Sequence, residues 1–320
     1  MKKRLCIIVL LVSLLFLSFG CKNNKKEDHL DVTLPGGIPA VGLGGLFDDD
    51  NYSFKVVDGV DLLRAELIRG ESDVVIAPII LGAQLYVKDS MKYQLVSIIT
   101  MGNSYIVSKK EDKINSLKDL EGQTIAAYGE NTAPDIVLKA ALKASGVDLE
   151  KITFVYENSV ADAFSNRFIA DDNIKYVLSA EPIITRMEQK KFSEGLEKID
   201  LQELLKSELS IIPQAGIFVK KDSDKDYSAF LEKVNNNVNY LNNNNKDYTE
   251  MLLNLKSELK SIFETLGSRV IELSIPTSNI TFMNAKSNKS VLDNYFAMVN
   301  LYNSNILNGQ AIDESFYYGK

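Results

Sequence analysis

The groups that could do chemistry along this 320-residue chain are carboxylates, amides and bare backbone rather than nucleophiles. It contains one histidine, His29, and two cysteines, Cys6 and Cys21. Without a histidine in the body of the chain there is no pair to activate a serine or cysteine, and no cluster to hold a metal. Acid–base work by two carboxylates stays open, as in any acidic protein. The expectation is a chain that is not an enzyme and that needs no cofactor and no metal.

The pointed acidic position is Glu181, followed by Pro182 at the end of an apolar run. Proline disfavours helix at the residue before it, which leaves Glu181 extended. A carboxylate so placed can accept hydrogen bonds from an amine or an aminopyrimidine, or serve as a hydrogen bond between lobes or at a hinge. A second position is Gly129-Glu130-Asn131-Thr132-Ala133-Pro134-Asp135. Asn131, Thr132 and Ala133 open a helix whose free N–H groups suit an anion. Asp135 stands in the same turn at capping-box spacing from Thr132, and Glu130 is adjacent. Both argue for a neutral or cationic ligand. The loop Pro35-Gly36-Gly37-Ile38-Pro39 lets backbone approach a ligand closely. It is not a phosphate loop, and Gly42-Leu43-Gly44-Gly45-Leu46-Phe47 lacks the last glycine of a dinucleotide fingerprint. Tyr105 and Tyr128 can stack on a planar ring or fill core. Arg167 is the one arginine to watch; Arg64 and Arg69 sit on a helix expected to pack outside.

Short β-rich runs alternate with helical stretches. Asp73-Val74-Val75-Ile76-Ala77 is continuously apolar, as a strand covered on both faces is. Other strands are expected at 31–34, 53–57, 94–100, 104–108, 124–128, 153–156, 175–179 and 211–220. Helices follow at 60–68, 136–144 and 160–169. Tyr227 to Leu241 reads as one long amphipathic helix, Leu252 to Leu266 as a second and Val291 to Tyr302 as the last. The asparagine runs at 235–237 and 242–245 read as polar helix faces. Alternation of this kind implies an α/β fold with mostly parallel sheets. Ligands of such sheets sit beyond the strands' carboxyl ends. The loops in question are then Pro35–Pro39, Ala77–Gly82, Thr100–Ser104, Gly129–Ala133 and Ala180–Pro182, with Ala77, Pro78, Gly102, Asn103, Glu181 and Pro182 among the candidate contacts.

Residues 1–20 read as a secretory signal: a basic start, an apolar stretch from Leu5 to Phe19, then Gly20-Cys21. The stretch is shorter than the ~20 residues a helix needs to cross a bilayer. Residues 21–29 are polar and read as a tether. Losing Lys2, Lys3 and Arg4 leaves 33 basic and 43 acidic side chains, a net charge of −10. An acidic chain without a basic stripe is a poor candidate for nucleic acid. Nearly 300 residues favour two lobes over one core.

The order of these motifs resembles the nitrate, sulfonate, taurine and thiamine-pyrimidine branch of the ABC-importer solute-binding proteins. The likeness is carried by the glycine loop at 35–39, Asp73-Val74-Val75-Ile76-Ala77, Ser116-Leu117-Lys118-Asp119-Leu120-Glu121-Gly122, the segment 129–135, Glu181-Pro182 and Phe316-Tyr317-Tyr318. It implies a type II-like periplasmic-binding-protein fold of two lobes with a ligand cleft between them. One lobe would be 30–105 plus 215–320 and the other 106–214, with crossing strands near 105–109 and 213–220. It also implies a small-molecule ligand, a permease and an ATPase as partners, and a monomer. Cys21 resembles the lipidated cysteine of bacterial lipoproteins, although Ser18 and Phe19 depart from that pattern, and places the chain at a membrane face of the cell envelope. Within the resemblance the ligand is expected to be a nitrogenous heterocycle; a sulfonate, taurine or nitrate is the alternative. Another is a surface lipoprotein binding a protein, in which the cleft would be filled by its own side chains.

Overall fold

The computed structural model describes residues 27–206, 209 and 211–319. The expected signal segment and Cys21 lie outside the described residues. Strands β1 (Leu30–Pro35), β2 (Tyr52–Val57), β3 (Val74–Pro78), β4 (Tyr93–Met101), β10 (Pro213–Lys220) and β11 (Ile280–Asn284) form one sheet, in the order β11-β4-β10-β3-β1-β2. Strands β5 (Ser104–Ser108), β6 (Thr124–Tyr128), β7 (Thr153–Glu157), β8 (Tyr176–Ala180) and β9 (Glu197–Asp200) form the other, in the order β7-β6-β8-β5-β9. Around the first sheet lie helices α1 (Ile38–Leu43), α2 (Val60–Arg69) and α3 (Ile79–Tyr86). With the second come α4 (Ala133–Ala144), α5 (Val160–Asp162, running on as a π-helix over Ala163–Ile169), α6 (Ile183–Lys190) and α7 (Leu201–Leu204). The chain ends with α8 (Ser228–Asn243), α9 (Asn245–Leu252), α10 (Lys260–Leu266), α11 (Ser268–Ser274) and α12 (Lys289–Tyr302).

The period of two along the strands assigns each side chain to a face. On β3, Val75 and Ala77 join one apolar cluster, and Val74 and Ile76 join another. Leu95 and Ile98 on β4 follow the first, and Val96 and Ile99 the second. Both faces of the first sheet are therefore covered. Its first cluster continues through Ile136 and Leu138 of α4, Leu201 of α7 and Leu292 and Phe296 of α12. One apolar core thus ties both sheets together.

The sheets are mixed rather than mostly parallel. Parallel pairing holds for β1 with β2 and β3, and for β6 with β7 and β8. The returning strand β10 lies between β3 and β4 and runs antiparallel to both. The chain leaves the first sheet at Gly102-Asn103 and re-enters it at Pro213. Divisions at 105 and 214 would fall inside β5 and β10. Apolar sequence runs through both exchanges, so composition does not mark them.

Three other expectations change, and one strand is added. The apolar run from Leu252 to Leu266 is two helices, because the N–H groups of Lys256 and Ser257 turn to the Asp48 carboxylate at 2.8 Å. The edge strand β11 is short and irregular in register, which conceals its alternation. The asparagines of α8 and α9 stitch elements together: the Nδ2 groups of Asn237, Asn242 and Asn245 donate to the carbonyls of Gly42, Ile280 and Glu272 at 2.7, 2.9 and 3.0 Å. The last residues of the polar tether are also fixed. Glu27 bonds Lys233 at 2.8 Å and Tyr52, and Asp28 accepts from the Asp226 N–H at 2.8 Å.

Gly216 shows how closely β10 is packed. A Cβ there would lie 2.4 Å from Leu95 Cδ1 and 3.0 Å from the Ser97 carbonyl oxygen on the neighbouring strand. The side chain can yield, but the backbone cannot without breaking the ladder. Gly216→Ala is expected to lower the unfolding free energy by about 1–3 kcal/mol, read from urea denaturation. An unchanged midpoint would show that the strand accommodates the methyl group.

Candidate functional site: the cleft between the sheets

The carboxyl ends of β1 and β3 face those of β6 and β8 across a cleft of about 400 Å³. Its walls include Gly36, Gly37, Ile38 and Pro39 after β1, Pro78 ending β3, and Thr100 near the end of β4. From the other lobe come Tyr128, Val160, Glu181, Pro182 and Ile183, while Asn103 lines it from the crossing itself. Gly37 needs to be glycine: it caps α1 at φ 74°, a conformation side chains resist, although no atom crowds it. The lining is mostly apolar, and its polar members are Thr100, Asn103, Glu181 and Gln214. Among the described residues, no arginine, lysine or histidine lines this chamber.

Pro78 and Gln214 are shared with an adjoining chamber of about 280 Å³. Gly129, Thr132 and Ala133 line it from α4, and Val60, Arg64, Ile80 and Leu81 from α2 and α3. Arg64 therefore sits at the cleft and not on an outer face as expected. Three expected contacts lie elsewhere. Ala77 is fully buried in the sheet. Gly102 is held in the crossing, donating to the Ile212 carbonyl at 2.7 Å and accepting from Asn279 at 2.8 Å. The Asn131 side-chain oxygen is taken by Asn303 at 3.0 Å. Arg167 pairs with Glu157, away from both chambers.

The capping box expected at Thr132 and Asp135 does not form. Thr132 Oγ1 donates back to the Gly129 carbonyl at 2.5 Å. Asp135, fully buried, accepts from the Asn131 N–H and Lys139 at 2.9 Å each and from the Tyr156 hydroxyl at 2.6 Å. The carboxylate is neutralised within its own lobe, so it bears less on a ligand than its sequence position suggested.

Glu181 is different. It is only 7% exposed, and its Oε2 accepts from the Thr185 N–H at 3.1 Å while its Oε1 accepts from the Thr277 hydroxyl at 3.3 Å. All of these donors are neutral. Lys198 acts on it from a distance and spends its own ammonium on Glu188 at 3.0 Å. Burial consequently pushes the Glu181 carboxyl above its ordinary range, against the lowering effect of those donors. The Glu181–Pro182 peptide is cis.

Thr277 belongs to the first lobe, so the Glu181 bond also spans the cleft. The Tyr105 hydroxyl joins it by donating to the Thr277 carbonyl at 3.3 Å. Arg186 donates to the Thr265 carbonyl at 2.7 Å further along the same face. Thr277, Leu266 and Gln214 were not legible as site residues: they come from helix ends and a strand start far along the chain, where only the fold brings them in.

Two-lobed geometry with the cleft at the crossing has close structural relatives. An ABC transporter structure from Parabacteroides distasonis superposes at TM-score 0.75 with 21% identity, covering 92% of this chain and 100% of that one. The fold is that of a periplasmic solute-binding protein. The periplasmic aliphatic sulphonate binding protein SsuA of Escherichia coli follows at TM-score 0.67 and 12% identity, over 91% of this chain and 94% of its own. The ligand-binding component of an ABC-type import system from Staphylococcus aureus, solved with zinc, gives 0.64 and 12%, over 92% and 97%. Residues 82–192 match the NMT1/THI5-like family model. No curated protein matches the sequence. The matched segment runs from α3 to just past α6 and includes Asn103, Tyr128 and Glu181.

The raised carboxyl of Glu181 fixes a sign for pH dependence. Ionising it costs the folded state more than the unfolded one, so stability is lost as pH rises through the folded value. That deficit is absent below the ordinary value of 4.5, where both states hold the proton. Glu181→Gln, isosteric and neutral, is expected to raise the melting temperature at pH 7 and to match the wild type at pH 4. A variant less stable at both pH values would show the carboxylate to be a structural necessity.

Proposed function

We propose that this protein is the solute-binding component of an ABC importer, closing two lobes on a small molecule in the cleft described above. The observation that carries the reading is Glu181, a buried carboxylate in an open chamber with only neutral donors around it. A buried charge is retained at a cost unless something compensates it. A solute bearing a protonatable or hydrogen-bond-donating nitrogen would do so. The apolar walls and Tyr128 suit a planar body, and a nitrogenous heterocycle such as an aminopyrimidine fits both demands. The remaining contacts proposed are Gly36, Gly37, Ile38, Pro39 and Pro78 on one side and Asn103 and Pro182 on the other. Gly129, Thr132 and Ala133 border the adjoining chamber.

Two other readings fit the cleft less well. An anionic solute has Arg64 in its favour, but Arg64 belongs to the outer chamber, and none of the described residues lining the main one is a cation. A protein-binding lipoprotein would leave its cleft plugged by its own side chains, whereas this one retains about 400 Å³. Solute capture without chemistry agrees with the lone histidine, His29, which bonds Ser53 at 2.8 Å beside the start of β1, at the strand end opposite the glycine loop.

The cellular setting follows from the same reading. Export, lipidation at Cys21, attachment to a bacterial membrane, and delivery as a monomer to a permease and its ATPase form one chain of inference. Several acyl chains on one cysteine anchor stably where a single chain would not. Cys21→Ser is expected to move the protein from the membrane fraction to the soluble extracytoplasmic fraction; retention with membranes would refute the anchor. For the solute, a thermal-shift screen should give larger shifts with vitamins and aminopyrimidines than with taurine or nitrate. Glu181→Gln should abolish the heterocycle response. A larger shift with taurine than with any heterocycle would overturn the assignment.

A further inference from the structure

Asn103 carries an acceptor that nothing among the described residues satisfies. The residue is 2% exposed and lines the main chamber. Its Nδ2 donates to the Glu181 main-chain carbonyl at 3.3 Å, while its Oδ1 has no hydrogen-bond partner among the described residues. The amide orientation is fixed by that carbonyl, because turning it over would set two oxygens against each other. The backbone on either side is also held. The Gly102 N–H and carbonyl are both engaged, as described above, and the Ser104 N–H and carbonyl both bond the Gln202 side-chain amide, at 3.1 and 3.2 Å. The side chain is therefore presented on a rigid mount, and an unmet buried acceptor costs free energy that a ligand's donor recovers.

We infer that Asn103 is a specificity-determining residue, its Oδ1 accepting an N–H of the solute beside the Glu181 carboxylate. The inference rests on the proposed solute-binding role and adds the edge by which the solute is read. A carboxylate offers about four lone-pair sites, so the Thr185 and Thr277 donors leave Glu181 able to take another. Asn103 contacts Glu181 through the latter's main-chain carbonyl, and both residues line the same mostly apolar chamber, to which they bring two acceptors. The solute they fit has two adjacent donors on one edge, as an amidine or an amino-substituted nitrogen ring in its protonated form does. A neutral acceptor discriminates strongly here. An analogue lacking the donor leaves Oδ1 as unmet as it is in the empty cleft.

The test is a ligand-observed NMR titration of the full chain with 4-aminopyrimidine and with pyrimidine, which lacks the exocyclic donor. Wild type is expected to prefer 4-aminopyrimidine by about tenfold or more. Asn103→Leu, similar in volume and without polar atoms, should lose that preference while binding pyrimidine as wild type does. If Asn103→Leu weakens both probes equally, the residue is structural and the inference falls while the solute-binding role stands. If it weakens neither, water serves Oδ1 and the inference falls likewise. Failure of wild type to bind either probe would overturn the inference and the heterocycle assignment, and leave the solute-binding role to the thermal-shift screen.

Discussion

Among the described residues, Glu181 is hydrogen-bonded only by neutral donors, and the one cation that acts on it, Lys198, does so from a distance. Everything near it follows from that constraint. The Thr185 N–H and the Thr277 hydroxyl hold the carboxylate in place, burial raises its affinity for a proton, and the chamber before it stays open. A site that pays in stability for an unneutralised group is the usual sign of a group kept for a partner. Asp135 is the useful contrast. Equally buried, it is satisfied by Lys139, Tyr156 and the Asn131 N–H within one lobe, and reads as structure.

The constraint also links recognition to the hinge. Asn103 stands in the exchange between the two sheets, touching Glu181, and Glu181 in turn reaches Thr277 across the cleft. Tyr105 holds the same threonine by its carbonyl. A solute that engages Asn103 and Glu181 therefore touches both the crossing and the contact between lobes. In a closing fold, ligand affinity depends on what differs between open and closed states. Here the groups offered to the solute and the groups that join the lobes are partly the same.

Much of this was legible in the sequence, for reasons that differ by element. The apolar run at 73–77 announced a doubly covered strand because both faces of β3 are in fact buried. The glycine loop, Pro78, Asn103 and Glu181 line the cleft because they stand at strand ends, which an alternating α/β pattern marks out. What the sequence concealed was long-range. Nothing local tells that β10 runs antiparallel between β3 and β4, or that Arg64 turns to the cleft, since both depend on how distant elements meet. Asp135 was misread for a related reason. Its capping partner Thr132 sits at the right spacing, but Tyr156 and Lys139 compete for the carboxylate from outside the segment. The apolar period from 252 to 266 suggested one helix because the Asp48 carboxylate that stops it lies some two hundred residues earlier.

The central claim is that the cleft holds a nitrogen-bearing solute through Glu181. Native mass spectrometry of the protein purified without unfolding, wild type beside Glu181→Gln, tests it most directly. The account predicts one small molecule bound one-to-one to the wild type, carrying a protonatable nitrogen and no sulfonate, and absent from the variant. A sulfonate or other oxyanion on the wild type, or the same solute retained by Glu181→Gln, would contradict it.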